Sequence, residues 1–271
     1  MTGGGAGGEV RALKWFRGRQ KKLGAALGSG GAKGMAHLGV IQALAERGVA
    51  FDAVAGTSAG ALVGALYARG YTPRDIGELL ARLDYKNMAL SVLLSKSLDP
   101  VRALLDDVLG QSEFPDLRLP FAAVATDAEN GEEAVLSAGN VAKAVLASCA
   151  MPPYFRPVAA DGRRLVDGAF VNAVPGDVAR ALGADFVIGV ALSPAERYRE
   201  TTFAAADGTL VRAEQAGFAA CDILLEPDLS AYSATSVLSG AQMFDIGYAC
   251  AEARADEIVR ALRERRIPLR S

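Results

Sequence analysis

One histidine, His37, serves the whole of this 271-residue chain. Any catalytic arrangement built on a histidine must use that residue or do without one. Cysteine is nearly as scarce: Cys149, Cys221 and Cys250 are odd in number and far apart, which fits neither a disulfide framework nor the paired spacing of a metal site. They read as buried or idle thiols, and neither a metal nor another cofactor is expected. No run of about 18 apolar residues occurs, so no membrane-spanning helix is expected. The glycine-rich first ten residues lack the apolar middle of a secretory signal, which makes the cytoplasm the expected location. Charge of one sign is missing too: 29 Lys and Arg against 31 Asp and Glu leave a net charge of -2. Nucleic acid is therefore not an expected partner, and any attraction to anionic lipid must be local. There is no internal repeat. What remains is a chain with 51% hydrophobic and 22% charged residues, the balance of an ordered globular protein. Residues 22–271 are long enough for one large α/β domain.

The informative stretch is Gly56-Thr57-Ser58-Ala59-Gly60. It follows an apolar run over residues 51–55 and opens a small-residue helical stretch over residues 61–69, giving strand, tight turn and helix with the serine at the apex. GxSxG in that setting is the pattern of a nucleophile elbow, whose glycines let the backbone turn and lift the serine oxygen clear of the sheet. The same glycines also suit a plain strand-to-helix connection packed closely through Gly60 and Gly64. Both readings stand on the pentapeptide alone.

Upstream, residues 1–21 read as a flexible basic arm. Six positive charges between Arg11 and Lys22 surround Leu13, Trp15 and Phe16, which suits a peripheral arm on a membrane surface or a solvated tail. Residues 23–27 read as a buried strand that feeds Gly28-Ser29-Gly30-Gly31-Ala32-Lys33-Gly34, followed by a helix from Met35 that stops at Gly48. A glycine loop at a helix start offers backbone amides either to a phosphate or to an oxyanion. The dinucleotide fingerprint would need glycine where Lys33 stands, and a Walker loop would need GK followed by Ser or Thr. Two consecutive βα units thus put amides and Ser58 at one edge of a parallel sheet, the outline of an acyl-transfer site. Lys33 reads as orienting the loop or as a solvated lysine.

Residues 72–119 read as helical, with one helix starting at Thr72-Pro73 and another capped at Asp99-Pro100. The apolar stretch over residues 85–98 suits either a lid over an acyl pocket or ordinary core. A strand over residues 120–126 pairs with 132–137 across Asn130-Gly131. A helix over 140–150 is stopped by Met151-Pro152-Pro153. Asp161-Gly162 then carries the turn of a hairpin. Asp167 falls at the end of that hairpin's second strand, where it serves structure or chemistry. His37, one turn into its helix among Met35, Leu38, Ile41 and Gln42, reads as a structural histidine. Without it, the base for Ser58 must be a carboxylate acting directly, and Asp167 is the candidate. Residues 193–218 read as a surface excursion, 221–225 as a last strand, and 241–265 as one final helix. The serine-rich residues 230–239 read as a rim of the cleft.

Taken in order, the loop at residues 28–34, the elbow at 56–60, and Asp167-Gly168-Ala169 with Asn172 and Pro175 downstream resemble the three motifs of the patatin-like phospholipases. Ala147-Ser148-Cys149-Ala150-Met151-Pro152 resembles the bacterial members. The resemblance runs from about Lys22 to Leu192. It implies a three-layer α/β/α fold, a modified α/β-hydrolase with a mostly parallel central sheet. It implies Ser58 as nucleophile, Asp167 as its partner, and an oxyanion hole from the loop amides of Gly28, Gly30, Gly31 and Ala32, with neither histidine nor metal. The implied substrate is a phospholipid, a lysophospholipid or another acyl ester. Thioesterase or acyltransferase chemistry at the same serine, and a phosphate- or nucleotide-binding module, are the alternatives. Ser29, Lys33 and Ala169 depart from the commonest family residues.

Overall fold

A computed structural model describes residues 20–82, 96–212 and 216–270. The basic arm, up to residue 19, and the apolar part of the lid candidate, residues 83–95, lie outside the described residues.

The chain begins as two βα units: β1 (Leu23–Leu27), α1 (Met35–Glu46), β2 (Ala53–Thr57) and α2 (Ala59–Arg69). Among the described residues α3 (Pro73–Ala81) and α4 (Asp99–Val108) come next. Thr72 starts α3 with a capping box, its hydroxyl accepting from Asp75 N while the Asp75 carboxylate accepts from Thr72 N. Next come β3 (Phe121–Asp127), β4 (Glu133–Leu136), α5 (Val141–Ser148), β5 (Val158–Ala160) and β6 (Arg163–Asp167). The rest is α6 (Gly176–Ala181), β7 (Phe186–Val190), α7 (Ala195–Arg199), β8 (Thr202–Ala204), β9 (Leu210–Arg212), α8 (Ala216–Ala219), β10 (Ile223–Leu225), α9 (Gly240–Glu252) and α10 (Ala255–Glu264).

The main sheet runs β10-β7-β1-β2-β3 in parallel, then β6 and β5, with β4 also on β3; β4, β5 and β6 join antiparallel. The strand order reverses at β1, and the crevice beyond the carboxyl ends of strands at such a point is where open α/β sheets bind ligands. Side chains alternate between two cores, as strand geometry requires. Leu23, Leu27, Phe121 and Ile188 face α1 to α5, α9 and α10. Ala26, Ala55, Val124 and Val187 face the other side, where α6, Tyr198 of α7 and Phe218 of α8 pack. Helices on both faces of the sheet make the three layers expected.

Small residues bring the layers close. A Cβ on Gly60 would stand 2.0 Å from the Leu27 carbonyl, so α2 crosses the end of β1 in near backbone contact. Gly39 and Gly247 do the same between α1 and α9, where added Cβ atoms would meet Phe244 O at 2.0 Å and Ala36 O at 2.1 Å.

One local expectation changes and two gain detail. The single helix expected over residues 241–265 is two, α9 and α10, broken at Arg254 (φ -111°, ψ 5°), whose guanidinium donates to Leu224 O at 2.7 Å and to Glu257. The β3–β4 pair forms as expected, its connection over residues 128–132 containing Asn130-Gly131 with Gly131 at φ 77°. The excursion over residues 193–218 carries the β8–β9 hairpin, which docks on that connection through Ala206 N to Ala128 O and Asp207 N to Glu129 O, both 2.9 Å. Asp161-Gly162 also turns as expected with φ 52° and 69°.

Candidate active site

The register of β3 explains how two residues 109 positions apart meet. Its residues 121–124 pair with β2 in parallel, 123–126 with β4, and 125–127 with β6. Ala123 and Val124 pair with both β2 and β4, so those strands lie on opposite edges; β6 shares residues with β4 as well, so it lies on the β2 edge. There β2 stops at Thr57, opposite Val124, and β6 takes over with Asp167 opposite Ala125. The two strands meet end to end, and Ser58 leaves one where Asp167 leaves the other. Ser58 Oγ donates to Asp167 Oδ2 at 2.6 Å.

Both residues are held from behind. Ser58 sits at φ 55°, ψ -119°, a conformation costly for a residue with a side chain and typical of a strained elbow. Its amide donates to Ser148 Oγ at 2.8 Å, and that hydroxyl donates to Val124 O at 2.5 Å, tying the elbow to both α5 and β3. Thr57 Oγ1 donates to Asn172 O at 2.7 Å. The second oxygen of Asp167 accepts from Ala169 N at 2.9 Å, and Thr126 Oγ1 donates to Asp167 O at 2.8 Å. Asp167 is 1% exposed. Burial pushes its carboxyl up to about 7, against the hydrogen bonds from Ser58 and Ala169, which pull the other way.

Ser148→Ala strands the Ser58 amide and the Val124 carbonyl in a dry interior. We expect it to lower the free energy of unfolding by about 1–3 kcal/mol, read as a lower midpoint in urea.

The glycine loop passes beside this pair. Gly28 N donates to Val190 O at 3.0 Å, Ser29 N to Ala173 O at 2.9 Å, and Ala32 N to Ala234 O at 2.8 Å. Two of the four amides expected to face an oxyanion, those of Gly28 and Ala32, are thus committed to the scaffold. Those of Gly30 and Gly31 have no acceptor among the described residues. Gly31 has φ 58°, and a Cβ there would lie 2.6 Å from Ala234 O, so only glycine suits it. Ala234 lies in the serine-rich stretch, and its carbonyl is the one that accepts from Ala32 N in the loop. The loop's other supports come from elsewhere in the chain. Tyr198 Oη donates to Ser29 O at 2.5 Å, and Lys33 reaches inward, its ammonium 3.5 Å from Leu192 O. Burial, with Arg197 nearby, holds that ammonium below the usual lysine range.

His37 is fully buried, its Nε2 2.8 Å from Gly28 O. A carbonyl only accepts, so Nε2 carries the proton. Burial lowers its pKa to about 4: a neutral ring that supports the glycine loop, as expected of a structural histidine.

Cys149, expected as a buried or idle thiol, is buried beside Ser58. Burial and the neighbouring Asp167 charge push its thiol well above the ordinary cysteine value, with the Ser58 contact opposing. Cys149 and Ser148 sit together in the Ala147–Pro152 stretch; neither residue type announces chemistry, and only the order of motifs marks that stretch in the sequence. Among the described residues no cluster of His, Cys, Asp and Glu could hold a metal ion, and no helix is long and apolar enough to cross a membrane.

A mostly parallel sheet between two helical layers, with a serine on a strained strand-to-helix turn, defines an α/β fold related to that of the α/β-hydrolases. The chain belongs to the patatin-like phospholipase family, whose sequence model matches residues 25–180. An uncharacterized NTE family protein of Mycobacterium tuberculosis is 39% identical over 183 residues, 63% of this chain and 49% of its own. The patatin-like phospholipase domain-containing protein 7 of Mus musculus is 33% identical over 178 residues, 60% of this chain and 13% of its own. The chain thus matches half or less of the length of these curated relatives. Among solved structures, VipD from Legionella pneumophila superposes with a TM-score of 0.55 at 17% identity, covering 88% of this chain and 67% of that one. The type III effector protein ExoU gives 0.50 at 16% identity, covering 88% and 53%. At such identities the likeness is one of fold.

Proposed function

We propose that the protein is a serine acyl hydrolase that cleaves carboxylic esters of lipids, of phospholipase A or lysophospholipase type. The observation that carries this reading is the 2.6 Å hydrogen bond from Ser58 Oγ to a buried carboxylate. In the proposed cycle Ser58 Oγ attacks the ester carbonyl carbon as its proton passes to Asp167 Oδ2. The amides of Gly30 and Gly31 receive the developing oxyanion. Collapse breaks the bond to the alcohol, which leaves with the proton from Asp167. Water then attacks the acyl-enzyme by the same exchange, releasing the fatty acid and restoring Ser58. All proton transfers run through these two side chains, and His37, neutral and turned to Gly28 O, takes no part.

The rival phosphate cradle would draw on several loop amides at once, whereas those of Gly28, Ser29 and Ala32 donate within the protein. The test is fatty-acid release from a panel of phospholipids, lysophospholipids and neutral esters. Release from at least one of the phosphate-bearing classes is expected, and inertness toward the whole panel refutes the assignment.

A pH dependence follows from the buried carboxyl. Only ionised Asp167 can take the Ser58 proton, so kcat/KM should climb as pH rises through about 7 and level off above it. The folded value lies above the ordinary 3.8, so the fold favours the protonated form. Burial of the charge therefore costs stability increasingly as pH rises from 3.8 toward about 7. A profile already flat at pH 5 would contradict the assignment of Asp167 as base.

A further inference from the structure

We infer that a basic cleft at the β5 edge of the sheet holds the phosphate of an anionic phospholipid while its ester lies at Ser58. The inference rests on the proposed ester hydrolysis. The cleft, a half-open surface hollow of about 400 Å³, lies between β5, α4 and α5, and Lys96, Arg102, Lys143 and Arg156 line it with Leu98 and Val158. A second hollow of about 340 Å³ shares Arg102 and Lys143 and continues past Asn140 toward Asp106. Four cations converge on one cleft in a chain whose net charge is -2. Of these, Arg102 is 3.8 Å from Asp99, while Lys96, Lys143 and Arg156 have no ion pair among the described residues. The walls are held together, since Arg156 N donates to Lys96 O at 3.0 Å. Uncompensated Lys and Arg around a hollow of this size suit a phosphate, which they reach as point charges and as planar forks. Val158 and Leu98 give the cleft an apolar wall, which a bare inorganic anion does not need and a glycerolipid does.

The location fits the same molecule. Val158 pairs with Leu165, two residues before Asp167 on the next strand. Strand spacing then puts Val158 about 8 Å from Asp167 between Cα atoms. In a glycerophospholipid five bonds separate the central ester carbonyl carbon from phosphorus, about 6 Å, a span of the same order as that strand-to-strand spacing. The surplus of positive charge favours headgroups that carry net negative charge over zwitterionic ones, whose own ammonium would meet the same cations.

Two arms test this. In the first, Lys143→Glu/Arg156→Glu protein is compared with wild type on phosphatidylglycerol and on a neutral diacylglycerol. The ratio of the two kcat/KM values should fall ten- to a hundredfold; an unchanged ratio overturns the inference. In the second, flotation with phosphatidylglycerol vesicles uses Ser58→Ala protein with and without the charge reversals, so that turnover plays no role. Binding lost with the reversals supports the cleft, and binding retained overturns it. Inorganic phosphate binding wild type as tightly as the lipid would also overturn the lipid assignment. Should wild type hydrolyse no ester at all, the proposed function fails while the flotation arm still decides the cleft. Both reversed residues are exposed, and circular dichroism matching wild type verifies the fold.

Discussion

Ser58→Ala protein is expected to hydrolyse lipid esters about 10⁴- to 10⁶-fold more slowly than wild type. The substitution removes the hydroxyl placed against the buried Asp167 carboxylate, and among the described residues no other hydroxyl is placed to replace it. Ser148 Oγ is occupied by Ser58 N and Val124 O, and the Cys149 thiol, held protonated by burial and by Asp167, is a poor nucleophile. The backbone should survive, since α2 rests on glycine contacts with β1 and not on the serine side chain. Fatty-acid release under saturating substrate, with the thermal midpoint measured in parallel, checks both halves. Residual activity within tenfold of wild type would mean that another group attacks the ester.

Asp167→Asn is expected to lower kcat by about 10³- to 10⁴-fold, and it separates base from scaffold. The amide side chain has nearly the shape of the carboxyl group. Its oxygen can keep the bond from Ala169 N, but it cannot take the Ser58 proton. If Asp167 served only structure, the variant would lose stability and keep activity. The account predicts the reverse. Burial makes ionised Asp167 costly, so the neutral amide should hold or raise the denaturation midpoint above pH 7 while turnover collapses. The rise of rate through about pH 7 should disappear with the group that causes it.

The elbow was legible in the sequence because its demands are local: glycines flank a serine where a strand gives way to a helix, and the chain there must turn sharply. The Asp161-Gly162 turn and the capping at Thr72 were legible for the same reason. Asp167 could be placed at a strand end, and it was paired with Ser58 only through the lack of another base and through the resemblance, because their meeting depends on β6 taking over the edge of β3 that β2 leaves. That is a pairing choice made across the whole sheet. The glycine loop shows a similar limit. Which amides stay free is decided by Val190, Ala173 and Ala234, carbonyls 144 to 202 residues away, and no pattern within residues 28–34 distinguishes Gly30 and Gly31 from Gly28 and Ala32. The break between α9 and α10 carries neither glycine nor proline, so periodicity ran through it. Cys149 was passed over because an isolated cysteine in a small-residue helix end carries no spacing signal, although its neighbour Ser148 holds the elbow.

The central claim is that Ser58 Oγ is an activated nucleophile, and intact-mass analysis after treatment with a fluorophosphonate tests it most directly. One adduct per chain on wild type, mapped to the peptide containing Ser58, absent from Ser58→Ala and strongly slowed in Asp167→Asn, is the predicted result. An unmodified wild-type mass, or equal labelling of wild type and Ser58→Ala, would contradict it.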